Sequence, residues 1–280
     1  MTLEAETTDL SGQFRIPHNT AAQVKGSIHD DATASKLGFK GGTVAGSLHM
    51  DQFVPLLTQI YGADWWAKGN MSMYFRQATV HGEAVKAFAR PGSPHARLWM
   101  ENEAGDLINE GTASCAGSDP DSELVHRLKG QATADSGALR ILGKAKTGDE
   151  VKDVPLNVTR EAVERRLETI PETMAEYREE KPILPPSLTV HLFRANQEKL
   201  FSLASAAVGL FGAIELQSVK GPLRAETPYT GRFKVLALSE SPKTENIWYQ
   251  AWAADPETGE DVAWMVMYLR FMKASSPLWS

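Results

Sequence analysis

A histidine followed by two carboxylates, in Ile28-His29-Asp30-Asp31, stands shortly before four glycines at Gly38, Gly41, Gly42 and Gly46. An imidazole with an unperturbed pKa near ~6.5 exchanges protons at neutral pH, so His29 is the first candidate for general acid–base chemistry. The other role open to it is a loop hydrogen bond. Asp30 and Asp31 precede Ala32-Thr-Ala-Ser-Lys36 as the first residues of a short helix do, and Asp31 is also placed to orient His29. Glycines this dense let the backbone turn sharply or let another group come close. The N–H groups of Gly41, Gly42 and Gly46 then either serve tight turns or donate to a carbonyl oxygen on which negative charge develops.

Directly after them, Ser47, His49 and Asp51 are unusually polar for the start of an apolar segment. His49 is the second candidate for proton transfer. Asp51 is a third, although a carboxylate in a first helical turn also has a purely electrostatic use. Arg76 interrupts the apolar run Tyr74-Phe-Arg-Gln77 and either meets a carboxylate or phosphate or faces solvent. In the second half His191 and Arg194 lie three residues apart, on one face if that segment is helical.

The elements that must hold these residues read as one order occurring twice. Leu48–Ile60 is a helix, and Pro55 falls in its first turn or kinks it. Strands follow at Met71–Val80, Ala84–Ala89, His95–Asn102 and Leu107–Ala116, the last two joined by the turn Glu103-Ala-Gly-Asp106. Further on, Leu188–Ile214 is apolar with helical spacing, and Leu200–Leu216 within and beyond it reads as a buried helix. Strands follow at Arg232–Leu238, Asn246–Ala253 and Asp261–Met272. A unit over residues 1–117, a Gly-, Ser-, Asp- and Lys-rich linker over 118–152 and a second unit over 153–280 describe this organisation. Glu161–Arg178, charged and helically spaced, opens the second unit or forms a solvated connector.

Composition narrows the classes. With 42% hydrophobic and 23% charged residues the 280-residue chain has the make-up of a globular protein of up to two domains. A net charge of −6 argues against nucleic acid as a partner. The one cysteine, Cys115, closes a strand-like run, reads as packing rather than as a nucleophile, and fits a reducing cytoplasm. Residues 1–13 lack the pattern of a signal peptide, and no run is long and apolar enough to span a bilayer, so no membrane association is expected. There is no Gly-x-Ser-x-Gly, no His-Glu-x-x-His and no Gly-x-Gly-x-x-Gly, so neither a metal nor a cofactor is expected.

The segment Gly26–Gly46 together with the two helix–meander units resembles the MaoC-like acyl dehydratases. The resemblance implies an α+β double hot-dog fold: two pseudo-symmetric units, each with a long central helix wrapped by a curled antiparallel sheet. It also implies a lyase of the hydratase or dehydratase type, with a CoA thioester as small-molecule substrate and a pocket between the units; a homodimer or other homo-oligomer is expected because such assemblies are common in general. His29 matches the family histidine of an Asp-x-Asn-Pro-x-His pattern, but Val24, Gly26 and Ser27 stand where its Asp, Asn and Pro would be. The expected acid–base set is therefore His29 with His49, Asp51 and Asp31. Gly41, Gly42, Gly46, Ser47, Arg76 and His191 are the expected substrate contacts. A thioesterase and a non-catalytic acyl-binding protein are the competing readings.

Overall fold

Residues 8–131, 138–170, 172 and 174–279 are described by a computed structural model of the chain. The first half begins with a short strand β1 (Leu10–Ser11), followed by helices α1 (Asp31–Lys36), α2 (Gly46–Met50), α3 (Val54–Tyr61) and α4 (Asp64–Lys68). It ends in strands β2 (Asn70–Phe75), β3 (Val85–Arg90), β4 (Ala96–Asn102) and β5 (Leu107–Ser114). After α5 (Glu123–Gly130) the order returns. Strand β6 (Glu150–Leu156) leads to α6 (Arg160–Leu167) and α7 (Pro186–Arg194), then to β7 (Gly209–Ser218), β8 (Tyr229–Glu240), β9 (Thr244–Ala254) and β10 (Asp261–Met272).

All ten strands form one sheet in the order β1-β3-β4-β5-β2-β7-β10-β9-β8-β6. Read outward from the β2–β7 seam, both sides follow the same plan: seam strand, last strand of the meander, its middle, its first, and the outer strand. The seam is antiparallel, with Asn70 opposite Gln217 and Tyr74 opposite Ala213. The two halves are thus covalent partners sharing one sheet, which covers the edge that each would otherwise leave unpaired.

Periodicity explains most of the elements. In β4, Ala96, Leu98, Met100 and Asn102 are buried while the residues between them are more accessible, the alternation of a sheet with one face on the core. β2 is buried at every position, because the second face of the seam is covered as well: Leu124, Val125 and Leu128 of α5 pack there with Tyr74, Trp248 and Tyr268. That helix lies inside the 118–152 stretch.

The first central helix is segmented. α2 passes through a 3-10 turn at Asp51–Phe53 into α3, whose second residue is Pro55. The missing N–H of a proline costs nothing there. Leu48, Met50, Phe53 and Leu57 are fully buried against the sheet, and each such side chain contributes about 1.5–3 kcal/mol.

The second apolar stretch departs from expectation. The α-helix ends at Arg194 (Pro186–Arg194) and only a 3-10 turn follows at Gln197–Lys199; Leu200–Ile214 is not helical, and Gly209–Ser218 is strand β7. Two forces end the helix: the polar run Asn196-Gln-Glu-Lys199, and the pairing of β7 with both β2 and β10. Gly212 permits that pairing, since a Cβ there would lie 2.3 Å from the Tyr268 ring. Among the described residues no helix is long and apolar enough to cross a membrane.

Candidate active site at the junction of the two halves

The loop that carries His29 is folded back on itself. Asn19 Nδ2 donates to the His29 carbonyl at 2.7 Å, and Thr43 N donates to the Ile28 carbonyl at 2.8 Å. Gly42 sits where the two limbs meet, and a Cβ on it would come within 2.4 Å of the His29 oxygen. Its N–H donates to Asp31 Oδ1 at 2.6 Å. Asp31 therefore clamps the glycine turn rather than touching the imidazole. Asp30 Oδ2 accepts from Thr33 Oγ1 at 2.8 Å. Val44 N donates to the Thr79 carbonyl at 2.8 Å, tying the loop to the segment that follows β2.

His29 Nδ1 lies 2.7 Å from the Thr43 carbonyl oxygen. A carbonyl only accepts, so Nδ1 carries the proton and Nε2 is left as the basic nitrogen; this tautomer is assigned from the acceptor. Burial lowers the His29 pKa and the positive charge of Arg194 adds to that, against the raising effect of the Thr43 bond. At neutral pH the ring is an uncharged base with a fixed orientation.

That ring lines a cavity of about 300 Å³. Its walls come from both halves. Ile28, His29, Phe39, the 43–46 turn, His49 and residues 75–79 form one side; Arg194 at the end of α7, the first residues of β7 and Arg270 form the other. Phe75 and Phe211 face each other across the seam with ring centroids 6.1 Å apart. Gly46 opens α2 at the wall, and a Cβ there would press on the Phe75 ring at 3.0 Å. Its N–H, the first of the helix, has no acceptor within the helix.

His49 also lines the cavity, with Nε2 2.8 Å from Thr79 Oγ1. It is 2% exposed, and burial pushes its pKa down to about 4. Arg76 is at the rim, its Nε donating to Glu110 Oε1 at 2.6 Å.

The remaining expected residues lie elsewhere. Ser47 is buried in α2 and does not reach the wall; neither do Gly41 and Gly42. His191 borders a separate cleft with Thr20, Arg165 and Arg166, because it lies almost a full turn of α7 before Arg194, the residue that does reach the cavity. Asp51 is 1% exposed and accepts the Ser187 N–H at 2.9 Å at the start of α7. Burial raises its pKa to about 7, with hydrogen bonds from Ser187 and the charge of Arg166 opposing. It is a link between the two central helices.

Val24, which the resemblance set opposite an aspartate, is 50% exposed and outside the cavity wall. A carboxylate there would be solvated. Val24→Asp is therefore expected to leave kcat/KM within about twofold of wild type, as surface substitutions do; a clear gain would put position 24 beside the reacting atoms.

Arg270, Phe211 and Thr79 were not anticipated. Arg270 stands within the apolar β10, Val266-Met-Tyr-Leu-Arg270, and an arginine interrupting such a run was the available signal, as it was for Arg76.

The internal symmetry provides a second place of the same kind, at the other end of the seam. There the cavity shrinks to about 60 Å³, lined by Trp65, Trp66, Met71, Pro186 and Leu216, with no histidine among the described residues of its wall.

No family model matches the sequence, and no curated protein matches it. Solved structures do. A protein of Chloroflexus aurantiacus assigned to the MaoC domain dehydratases superposes with a TM-score of 0.64 at 11% identity, covering 95% of each chain. A conserved hypothetical protein of Mycobacterium tuberculosis, described as having a double hot-dog fold, gives 0.59 at 13% identity over 96% of this chain and 97% of its own. The dehydratase domain from the CurJ module of curacin polyketide synthase gives 0.51 at 11% identity over 97% and 94%. The chain has the double hot-dog fold, α+β with one large antiparallel sheet. At 11–13% identity these likenesses show the fold.

Proposed function

We propose that the chain is a lyase of the hydratase/dehydratase type acting on an acyl-CoA thioester, with His29 as its acid–base group. The observation that carries this reading is the Nδ1–Thr43 bond, which leaves Nε2 as a neutral base on the wall of a cavity built from both halves.

In the dehydration direction Nε2 takes the proton from the carbon next to the thioester carbonyl. The electron pair of that C–H bond forms the double bond as the C–O bond of the 3-hydroxyl breaks, and the imidazolium returns the proton to the leaving oxygen as water. Hydration is the reverse. One group performs both transfers, which suits a wall holding no Asp or Glu among the described residues. The N–H of Gly46, a residue of the cavity wall, would donate to the carbonyl oxygen as it gains charge. Neutral His49 and Thr79 offer a polar pair for the hydroxyl.

Hydrolysis by a carboxylate-activated water loses its expected base, since Asp51 is engaged by Ser187. A cytoplasmic setting, in keeping with the free Cys115, and a homodimer belong to the same reading. The test is a panel of 2-enoyl- and 3-hydroxyacyl-CoA thioesters, followed by enoyl absorbance and by free thiol. Interconversion without thiol release is expected. Thiol release would make the protein a thioesterase, and binding without either would make it an acyl carrier.

A further inference from the structure

Two cations face the cavity without counter-charges. Arg194 and Arg270 are half-buried, and neither forms an ion pair with any described carboxylate. Arg270 donates to the Phe211 carbonyl at 3.1 Å, and Arg194 lies over the Phe211 ring at 5.2 Å. In both, the Nε–H is buried with no acceptor. Other arginines of the sheet do have a carboxylate: Arg76 has Glu110 and Arg232 has Asp261. A buried donor left without an acceptor is costly unless a ligand completes it.

We propose that Arg194 and Arg270 bind a free carboxylate on the acyl group, so that the substrate is a thioester of a dicarboxylic acid. The inference rests on the acyl-thioester reading above. An anion at this place has two sources, the acyl chain or the phosphates of CoA. The acyl chain is favoured by position. Arg194 is close enough to His29 to act on it electrostatically, and a thioester reacting at His29 holds its CoA phosphates a whole pantetheine arm away. A guanidinium also suits the planar, two-oxygen geometry of a carboxylate.

The experiment compares fumaryl-CoA with crotonyl-CoA, which carries a methyl group where fumaryl-CoA carries the carboxylate. Wild type is expected to prefer fumaryl-CoA in kcat/KM by roughly ten- to a hundredfold, the range for a hydrogen-bonded charge pair. Arg194→Gln should bring the ratio close to one, and Arg194→Lys should keep part of it. Equal turnover of both thioesters by wild type overturns the inference and leaves the lyase reading standing. If neither thioester reacts, the wider panel decides the lyase reading, and calorimetry with monomethyl fumarate and with CoA decides the inference alone. Binding of monomethyl fumarate that is lost in both Arg194→Gln and Arg270→Gln supports it. No binding, or a loss confined to CoA, assigns the arginines to phosphate and overturns it.

Discussion

His29→Ala is expected to lower turnover by roughly a hundred- to ten-thousand-fold, the usual contribution of a positioned acid–base group. The variant should remain folded. What it gives up is one hydrogen bond to a backbone carbonyl, Nδ1 to Thr43, with a net contribution of about 1 kcal/mol. The pH profile adds a second reading of the same residue. Because burial holds the His29 pKa below its ordinary 6.5, the acid limb of kcat/KM should lie below pH 6.5 and the rate should level off above it. Turnover of His29→Ala within about twofold of wild type would remove the imidazole from the mechanism, since it is then supplying almost none of the barrier reduction.

Asp51→Asn is expected to change stability rather than catalysis, and to do so as a function of pH. Burial raises the Asp51 carboxyl from 3.8 to about 7. Between those values the folded chain keeps a proton that the unfolded chain has released, so stability falls as pH rises through that window and stays lower above it. Asparagine keeps an oxygen to accept from Ser187 and has no charge to desolvate. Relative to wild type, Asp51→Asn should gain about 2–3 kcal/mol between pH 5 and pH 8, at 1.36 kcal/mol per unit of pKa difference. Denaturant unfolding of both proteins at the two pH values measures it. Parallel pH dependences would show that the carboxyl titrates alike in both states.

The repeated order of helix and meander was readable from the chain because alternation in strands such as Ala96–Asn102 is a local property. The Gly-rich loop was readable for the same reason, as Gly42 answers to a neighbour thirteen residues away. Where the reading failed, long-range pairing had decided the outcome. Leu200–Ile214 has apolar residues that suit a helix or a buried strand equally, and only β2 and β10, far off in sequence, select the strand. The candidate site divides in the same way. His29 and His49 stand near the glycines that shape their wall. Asp51 is held by Ser187, 136 residues on, and Arg270 joins the cavity through strand order alone. His191 and Arg194 share a helix, yet the cavity takes only the latter.

Trp65 and Trp66 fill the place that internal symmetry would otherwise make a second chamber. Occupancy by ligand should therefore saturate at one molecule per chain. The stopper also separates two kinds of tolerance. Around the open chamber a changed side chain alters what is recognised. Around the filled one it alters how well the helices pack on the sheet, and trimming either indole would leave a void where the duplicated scaffold has room for another occupant.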